Sequence, residues 1–336
     1  MKRLTILASG LGIGLTVWML ARFGVGSILA LVAAGGWGVV LAILFHSLQV
    51  LLSALSWRVI GGSEGQDGAV LHLYDYYVLR CVREGVNNLL PVAQVGGEVV
   101  SARLLAHRGL GMRGAAAATI CDLTVELLTQ VAFTVAGLAV LLCLVKRSAT
   151  TDELVESGIV VVLIGIAIFG SQWFGAISIV EKLLVRIAGH LGWSGVDGIR
   201  GLHEEIMALY KTSSRTMAAG AAQFAGWSIG AAEVCIILHF MGHDRSLATG
   251  YVIESVGQIA KSAAFAVPGG LGVSEGGYVL VGSLFGLPPT VSIALSLIKR
   301  LREIAWGLPS LVIWQWLETH WRPEHVIGSA SGAHQR

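Results

Sequence analysis

From Trp37 to Trp57, and again from Gly158 to Val180, the chain carries no Asp, Glu, Lys or Arg. A helix rises about 1.5 Å per residue and a hydrocarbon core is roughly 30 Å thick, so apolar runs of about 20 residues read as membrane spans. Leu4 to Ala21 is a third such run. Three others are long enough but hold charge: Gly114 to Val145 with Asp122 and Glu126, Thr216 to Met241 with Glu233, and Thr290 to Trp316 with Lys299, Arg300, Arg302 and Glu303. Composition agrees, since only 13% of the 336 residues are charged, against about 25% in soluble proteins. A net charge of +2 is too small for a phosphate-tracking surface, so no nucleic-acid partner is expected. Cys81, Cys121, Cys143 and Cys235 form no CxxC pair and read as small core residues, not as a disulfide frame or a metal site.

The expected fold class is an all-α polytopic membrane protein with about six transmembrane helices plus two re-entrant helical hairpins. One integral membrane domain covers 1–322, and a Ser/Gly/His-rich tail, 323–336, is expected to be disordered. Lys2-Arg3 before an apolar run also fits a signal peptide, but the run is long for that role and lacks a clear cleavage site. Basic residues set the orientation. With both termini cytoplasmic, Arg58, Arg80, Arg83, Arg103, Arg108, Arg113, Lys211 and Arg215 fall inside, while Lys146, Arg147 and Arg245 fall outside. The segment from Arg58 to Arg113 then begins and ends on one side, so its apolar piece must turn back within the membrane. Glu181 to Arg215 sets Ile199, Leu202, Ile206 and Leu209 at helical spacing. It reads equally as an amphipathic helix at the cytoplasmic face or as a helical linker.

The sequence echoes itself at an offset of 177. Between Leu89 and Gln130 that offset gives 6 identities in 42 positions, among them Pro91 on Pro268, Glu98 on Glu275 and Glu126 on Glu303. Asp122 falls on Lys299. Repeat halves of about 37–145 and 214–322 follow, and the alternation of spans makes them inverted, a construction many secondary transporters use.

Three clusters carry candidate chemistry. Asn87, Asn88 and Pro91, followed by Gly96, Gly97 and Glu98 and then Arg103 and Arg108, read as a hairpin tip or as a surface turn with a capping glutamate. Pro268, Gly269, Gly270, Gly272 and Glu275 mirror it, with backbone N–H groups beside a helix start that suit an anion. Gly272 to Gly276 also spells G-x-S-x-G, but no strand precedes it, so Ser274 is not read as a nucleophile. The third cluster is intramembrane charge: Asp122 and Glu126 four apart, Lys299 and Glu303 four apart, with Arg302 beside them. Such charges cost about 2.5–3.5 kcal/mol each on insertion scales, so they pair or line a wet cavity. Cross-helix pairing of Asp122 and Glu126 with Lys299 and Arg302 is expected; Glu233, Glu254 and Lys261 are weaker candidates. His239 and His243, next to Asp244, sit at a helix end near water and read as interfacial residues, not ligands.

At these residues the chain resembles the integral membrane region of lysylphosphatidylglycerol synthases, which also exists as a stand-alone flippase-like family. Pro91 with Gly96-Gly97-Glu98 and Arg103, the helix with Glu126, and Pro268-Gly269-Gly270-Leu271-Gly272-Val273 with Glu275 carry the resemblance. It extends from about Trp37 to Trp316, and the run from Arg83 to Leu105 is most similar to members associated with hopanoid biosynthesis. The resemblance implies movement of a polar-headed lipid between leaflets of a bacterial cytoplasmic membrane. It does not carry the synthase activity over, since only a short tail follows the last span. No enzyme activity and no cofactor are expected. The alternative is a non-transporting membrane scaffold for lipid-biosynthesis enzymes, docked on the Glu181–Arg215 face.

Overall fold

The computed structural model describes residues 26, 30, 32–33, 35–65, 68–90, 96–146, 148–173, 201–211, 213–263 and 272–320. Helices dominate them, and no strand is present among the described residues. In chain order these are α1 (Gly36–Gly61), α2 (Leu73–Leu89), α3 (Gly96–Leu105), α4 (Met112–Leu144) and α5 (Ala149–Trp173). There follow α6 (Leu202–Lys211), α7 (Ser213–Phe240), α8 (Leu247–Ala263), α9 (Val273–Leu284) and α10 (Pro289–His320). By length and composition α1, α4 and α7 can each cross a membrane. The charge-bearing α10 is one continuous helix of 32 residues, and α5 one of 25. The expected span at Leu4–Ala21, the residues 181–200 and the tail from Trp321 onward lie outside the described residues.

Polarity runs inside out. Leu44, Leu48 and Leu51 of α1, Leu163 and Ile164 of α5, and Leu308 and Val312 of α10 are exposed. Asp122, Glu233, Glu275 and Gln223 are almost wholly buried. That is the distribution a lipid solvent selects, because lipid attracts apolar faces and leaves charge to pair within the protein.

The offset of 177 reappears in the helix starts. Gly36, Gly96 and Met112 open α1, α3 and α4, and Ser213, Val273 and Pro289 open α7, α9 and α10, each pair 177 positions apart. Helix α1 packs along α7. The two short-helix pairs, α2 with α3 and α8 with α9, fold back on themselves, and their first helices lie across the long helix of the other half, α2 on α10 and α8 on α4. The crossings correspond in detail. Gly85 meets Gly307 and Ser310, and the residues 177 removed from the first two, Ser262 and Gln130, share a hydrogen bond of 2.7 Å.

Helix α6 uses its apolar face within the fold. Leu202 and Ile206 are buried against Ile60, Ala117, Cys121 and Ala219. Of the expected 181–215 face, the described helix packs chiefly on α4.

The α2–α3 pair is closed by Gly97. Its N–H donates to Asn87 Oδ1 at 2.8 Å, and a Cβ there would collide with the Arg83 carbonyl oxygen and with that Asn87 atom. Gly97→Ala should therefore lower the melting temperature of the purified protein by an overpacking cost of about 1–3 kcal/mol. An unchanged melting temperature would show that the helices can part without loss.

Candidate functional site

Helix α2 places a polar stripe on one face. Arg80, Arg83, Glu84 and Asn87 stand at i, i+3, i+4 and i+7, which a 3.6-residue period brings into line. Arg80 and Arg83 are 5% and 2% exposed. The Arg80 guanidinium reaches Glu126 at 2.7 Å and Asp122 at 3.4 Å. Arg83 bonds three carboxylates: Glu98 at 3.0 Å, Asp122 at 2.7 Å and Glu126 at 2.9 Å. Its guanidinium also lies 5.9 Å from the centre of the Trp57 ring. Asn87 Nδ2 donates to both oxygens of Glu98, to Oε1 at 3.0 Å and to Oε2 at 3.2 Å.

The second half builds its own network. Arg302 bonds both oxygens of Glu233 at 2.6 Å, Lys261 bonds Glu303 at 2.7 Å, and Lys299 bonds Glu254. Lys261 also reaches across the repeat to Asn88 Oδ1 at 3.3 Å. Between the two networks lies a cavity of about 240 Å³. It is lined from α1 (His46, Gln49, Ser53), α2, Glu98 of α3, α4 (Glu126, Gln130), α7 (Gln223, Gly226, Trp227), α8 (Gln258, Lys261, Ser262) and α10 (Arg302, Glu303). The Gln223 Oε1 atom is buried there with no hydrogen-bond partner among the described residues. A buried acceptor left open is costly unless a donor comes to it.

Of the residues expected from sequence, Asn87, Asn88, Glu98, Glu126, Arg302 and Glu303 line this cavity. Asp122 stands behind it, bonded to both arginines and to Ser56. Pro91, Pro268, Gly269 and Gly270 lie outside the described residues, and Gly96 opens α3. Four expectations are corrected. Arg103 pairs with Glu318 and Arg108 with Asp75 on the outer flank of the α2–α3 pair, both more than a third exposed and away from the cavity. Asp122 and Glu126 do not pair with Lys299 and Arg302. Nearer partners on α2, α7 and α8 satisfy each charge first. Arg80 and Arg83 are core ion-pair residues, not the surface charges used for orientation. Finally, Glu98 and Glu275 do not share a role.

That last divergence is local. Glu275 Oε2 accepts the N–H of Gly272 at 2.7 Å, and Gly272 takes φ +78°, which only glycine adopts freely, so the carboxylate closes the first turn of α9. Its other oxygen meets Arg300 at 3.3 Å. Glu275 does not line the main cavity, whereas Glu98 does. Glu98→Gln should slow any lipid movement the protein supports. Glu275→Ala, which removes the oxygen that accepts the Gly272 N–H, should act chiefly on stability, by about 0.5–2 kcal/mol, the range of a lost helix cap. Equal transport losses in the two variants at equal stability would contradict the division.

Lys299 and Gly257 border a smaller polar space of about 30 Å³ that shares Gln258, Lys261, Arg302 and Glu303 with the main cavity. At the exposed end of α7, His239 pairs with Asp244 at 2.6 Å. Among the described residues no group of three or more His, Cys, Asp or Glu side chains could hold a metal ion. Sequence reasoning passed over His46, Glu84, Arg80 and Arg83, although the i, i+3, i+4, i+7 polar stripe on α2 was there to find.

The chain matches a family model described as the lysylphosphatidylglycerol synthase TM region over residues 5–308. No curated protein and no solved structure matches it.

Proposed function

Because the chain belongs to the family of the lysylphosphatidylglycerol synthase transmembrane region, we propose that it carries the polar headgroup of a membrane lipid across the bilayer. The passage is the cavity between the two halves, and the halves form an inverted repeat. The observation that carries this reading is the cavity itself: about 240 Å³ walled by charge and amide groups, inside helices whose outer faces are apolar. A headgroup would exchange water for fixed dipoles and ion pairs while its chains stay in lipid, which lowers the cost of crossing the hydrocarbon core. The open acceptor of Gln223 favours a headgroup with hydroxyl or ammonium donors. A scaffold has no use for such a cavity, and the ion-paired ring of side chains around it is dearer to build than an apolar core. Transport by the chain, with both termini cytoplasmic in a bacterial inner membrane, requires no chemistry on the lipid. A link to hopanoid or phospholipid metabolism is part of the same proposal.

The test is reconstitution of the full chain into phosphatidylcholine–phosphatidylglycerol vesicles with trace chain-labelled NBD phosphatidylglycerol or phosphatidylethanolamine. Dithionite bleaches the outer leaflet. Inner-leaflet probe should become accessible faster than in protein-free vesicles. A rate equal to the protein-free rate for both probes would overturn the proposal.

A further inference from the structure

The charges about the cavity do not balance. Among the described residues that line it or pair with its lining, four are cations: Arg80, Arg83, Lys261 and Arg302. Against them stand six carboxylates: Glu84, Glu98, Glu126 and Glu303 on the wall, and Asp122 and Glu233 behind it. The adjoining pairs Lys299–Glu254 and Arg300–Glu275 are neutral in themselves and leave the excess at two. Two carboxylates in excess around a partly buried cavity favour the uptake of protons or of a cationic ligand.

His46 is placed to take one proton. The residue is 6% exposed; its Nε2 lies 2.9 Å from Glu84 Oε2 and its Nδ1 3.3 Å from Gln49 Oε1. Its Nε2 faces the Glu84 carboxylate, and a proton added to the ring makes an imidazolium that donates to Glu84 and to Gln49 Oε1 together. The packed elements around the ring bring Arg80 from α2, which reaches Glu84 at 3.5 Å, and Glu126 from α4. They also bring Gln223 and Glu233 from α7, Lys261 from α8, and Arg302 and Glu303 from α10, with the Trp306 ring edge-on at 5.9 Å. The other half lacks the device: 177 positions on from His46 and Glu84 stand Gln223 and Lys261, an amide and an ammonium in place of an imidazole and a carboxylate.

We propose that His46 and Glu84 form a proton-binding site that couples lipid movement to a transmembrane pH gradient. This rests on the translocation reading above. A proton from the aqueous phase on one side binds the ring nitrogen facing Gln49, the nitrogen facing Glu84 already bearing its N–H, and makes an imidazolium–carboxylate pair. It leaves to the other side when the helices part α1 from α2. The titratable pair lies in one half only, since Gln223 and Lys261 stand at the corresponding positions.

The experiment uses the vesicles and probes above with a pH step of one unit across the membrane. At one proton per lipid the wild-type chain should drive a leaflet asymmetry approaching about tenfold, the ratio that one pH unit supports. His46→Gln and, independently, Glu84→Gln should leave the probe evenly distributed under the same gradient. Wild-type vesicles that move lipid but hold it evenly under the gradient would overturn the coupling and leave translocation standing. Vesicles that move no lipid with or without a gradient would overturn both. The wild-type measurement alone decides the matter if either variant fails to fold, and full asymmetry in a well-folded His46→Gln variant would overturn the assignment of the site.

Discussion

Arg83→Met should be the most damaging single change in the protein. The guanidinium is 2% exposed and is the shared partner of Glu98, Asp122 and Glu126, at 2.7–3.0 Å. Methionine keeps much of the stem but strips all three carboxylates of a cation at once. Removing one partner of a buried pair costs about 3–5 kcal/mol, because the orphaned charge stays away from water. That is a large share of the stability of an ordinary domain. Detergent-solubilised variant should therefore give little monodisperse protein, and what is recovered should melt far below wild type. The control is Arg83→Met with Asp122→Leu. It deletes the carboxylate nearest the lost cation, and since a buried ion pair is often replaceable by apolar groups, part of the stability should return. A single variant as stable as wild type would mean that the arginine is not what neutralises this cluster.

Gly226→Phe should have the largest effect on transport at the least expense to folding. Gly226 lines the cavity on α7, and the atoms nearest a Cβ added there, the Gln49 carbonyl oxygen, Gln49 Cγ and Leu52 Cβ, lie at 3.6–3.8 Å. That is ordinary contact, so the backbone accepts a side chain, and a benzyl group then occupies space in a cavity of about 240 Å³. Lipid movement should fall to near the protein-free rate while yield, helicity and melting temperature stay close to wild type. Gly226→Ala, which adds only the tolerated Cβ, should keep most of the activity. Unimpeded transport in a well-folded Gly226→Phe variant would place the path elsewhere.

Much of the fold was legible because lipid imposes a simple rule on sequence. Apolar runs near 20 residues gave α1, α4 and α7, and the pairing of Pro91 with Pro268 and of Glu126 with Glu303 gave the offset that the helix starts keep. The partners of the charges were less legible. Depth along a helix follows from counting residues, but partner choice depends on which helices touch. Helix α2 lies on α10, and its arginines reach α4, only in the folded chain. Arg80 and Arg83 were counted only as cytoplasmic-side charges, because α2 has polar and apolar faces and its polar stripe is invisible to a hydropathy average. The glutamates Glu98 and Glu275 were matched by position and separated by context. Asn87 and Arg83 draw the first toward the cavity, and Gly272 with Arg300 holds the second at its helix end.

The central claim is that a lipid headgroup occupies the cavity between the halves. Photolabelling tests it most directly: the full chain is reconstituted with a phospholipid bearing a diazirine on its headgroup, irradiated, digested and mapped by mass spectrometry. Adducts should fall on cavity residues such as Gln223 and Gln258, and a chain-end diazirine lipid should instead mark outward residues such as Leu163 and Val312. Headgroup adducts confined to the outer face or the helix ends, with none in the cavity, would contradict the account.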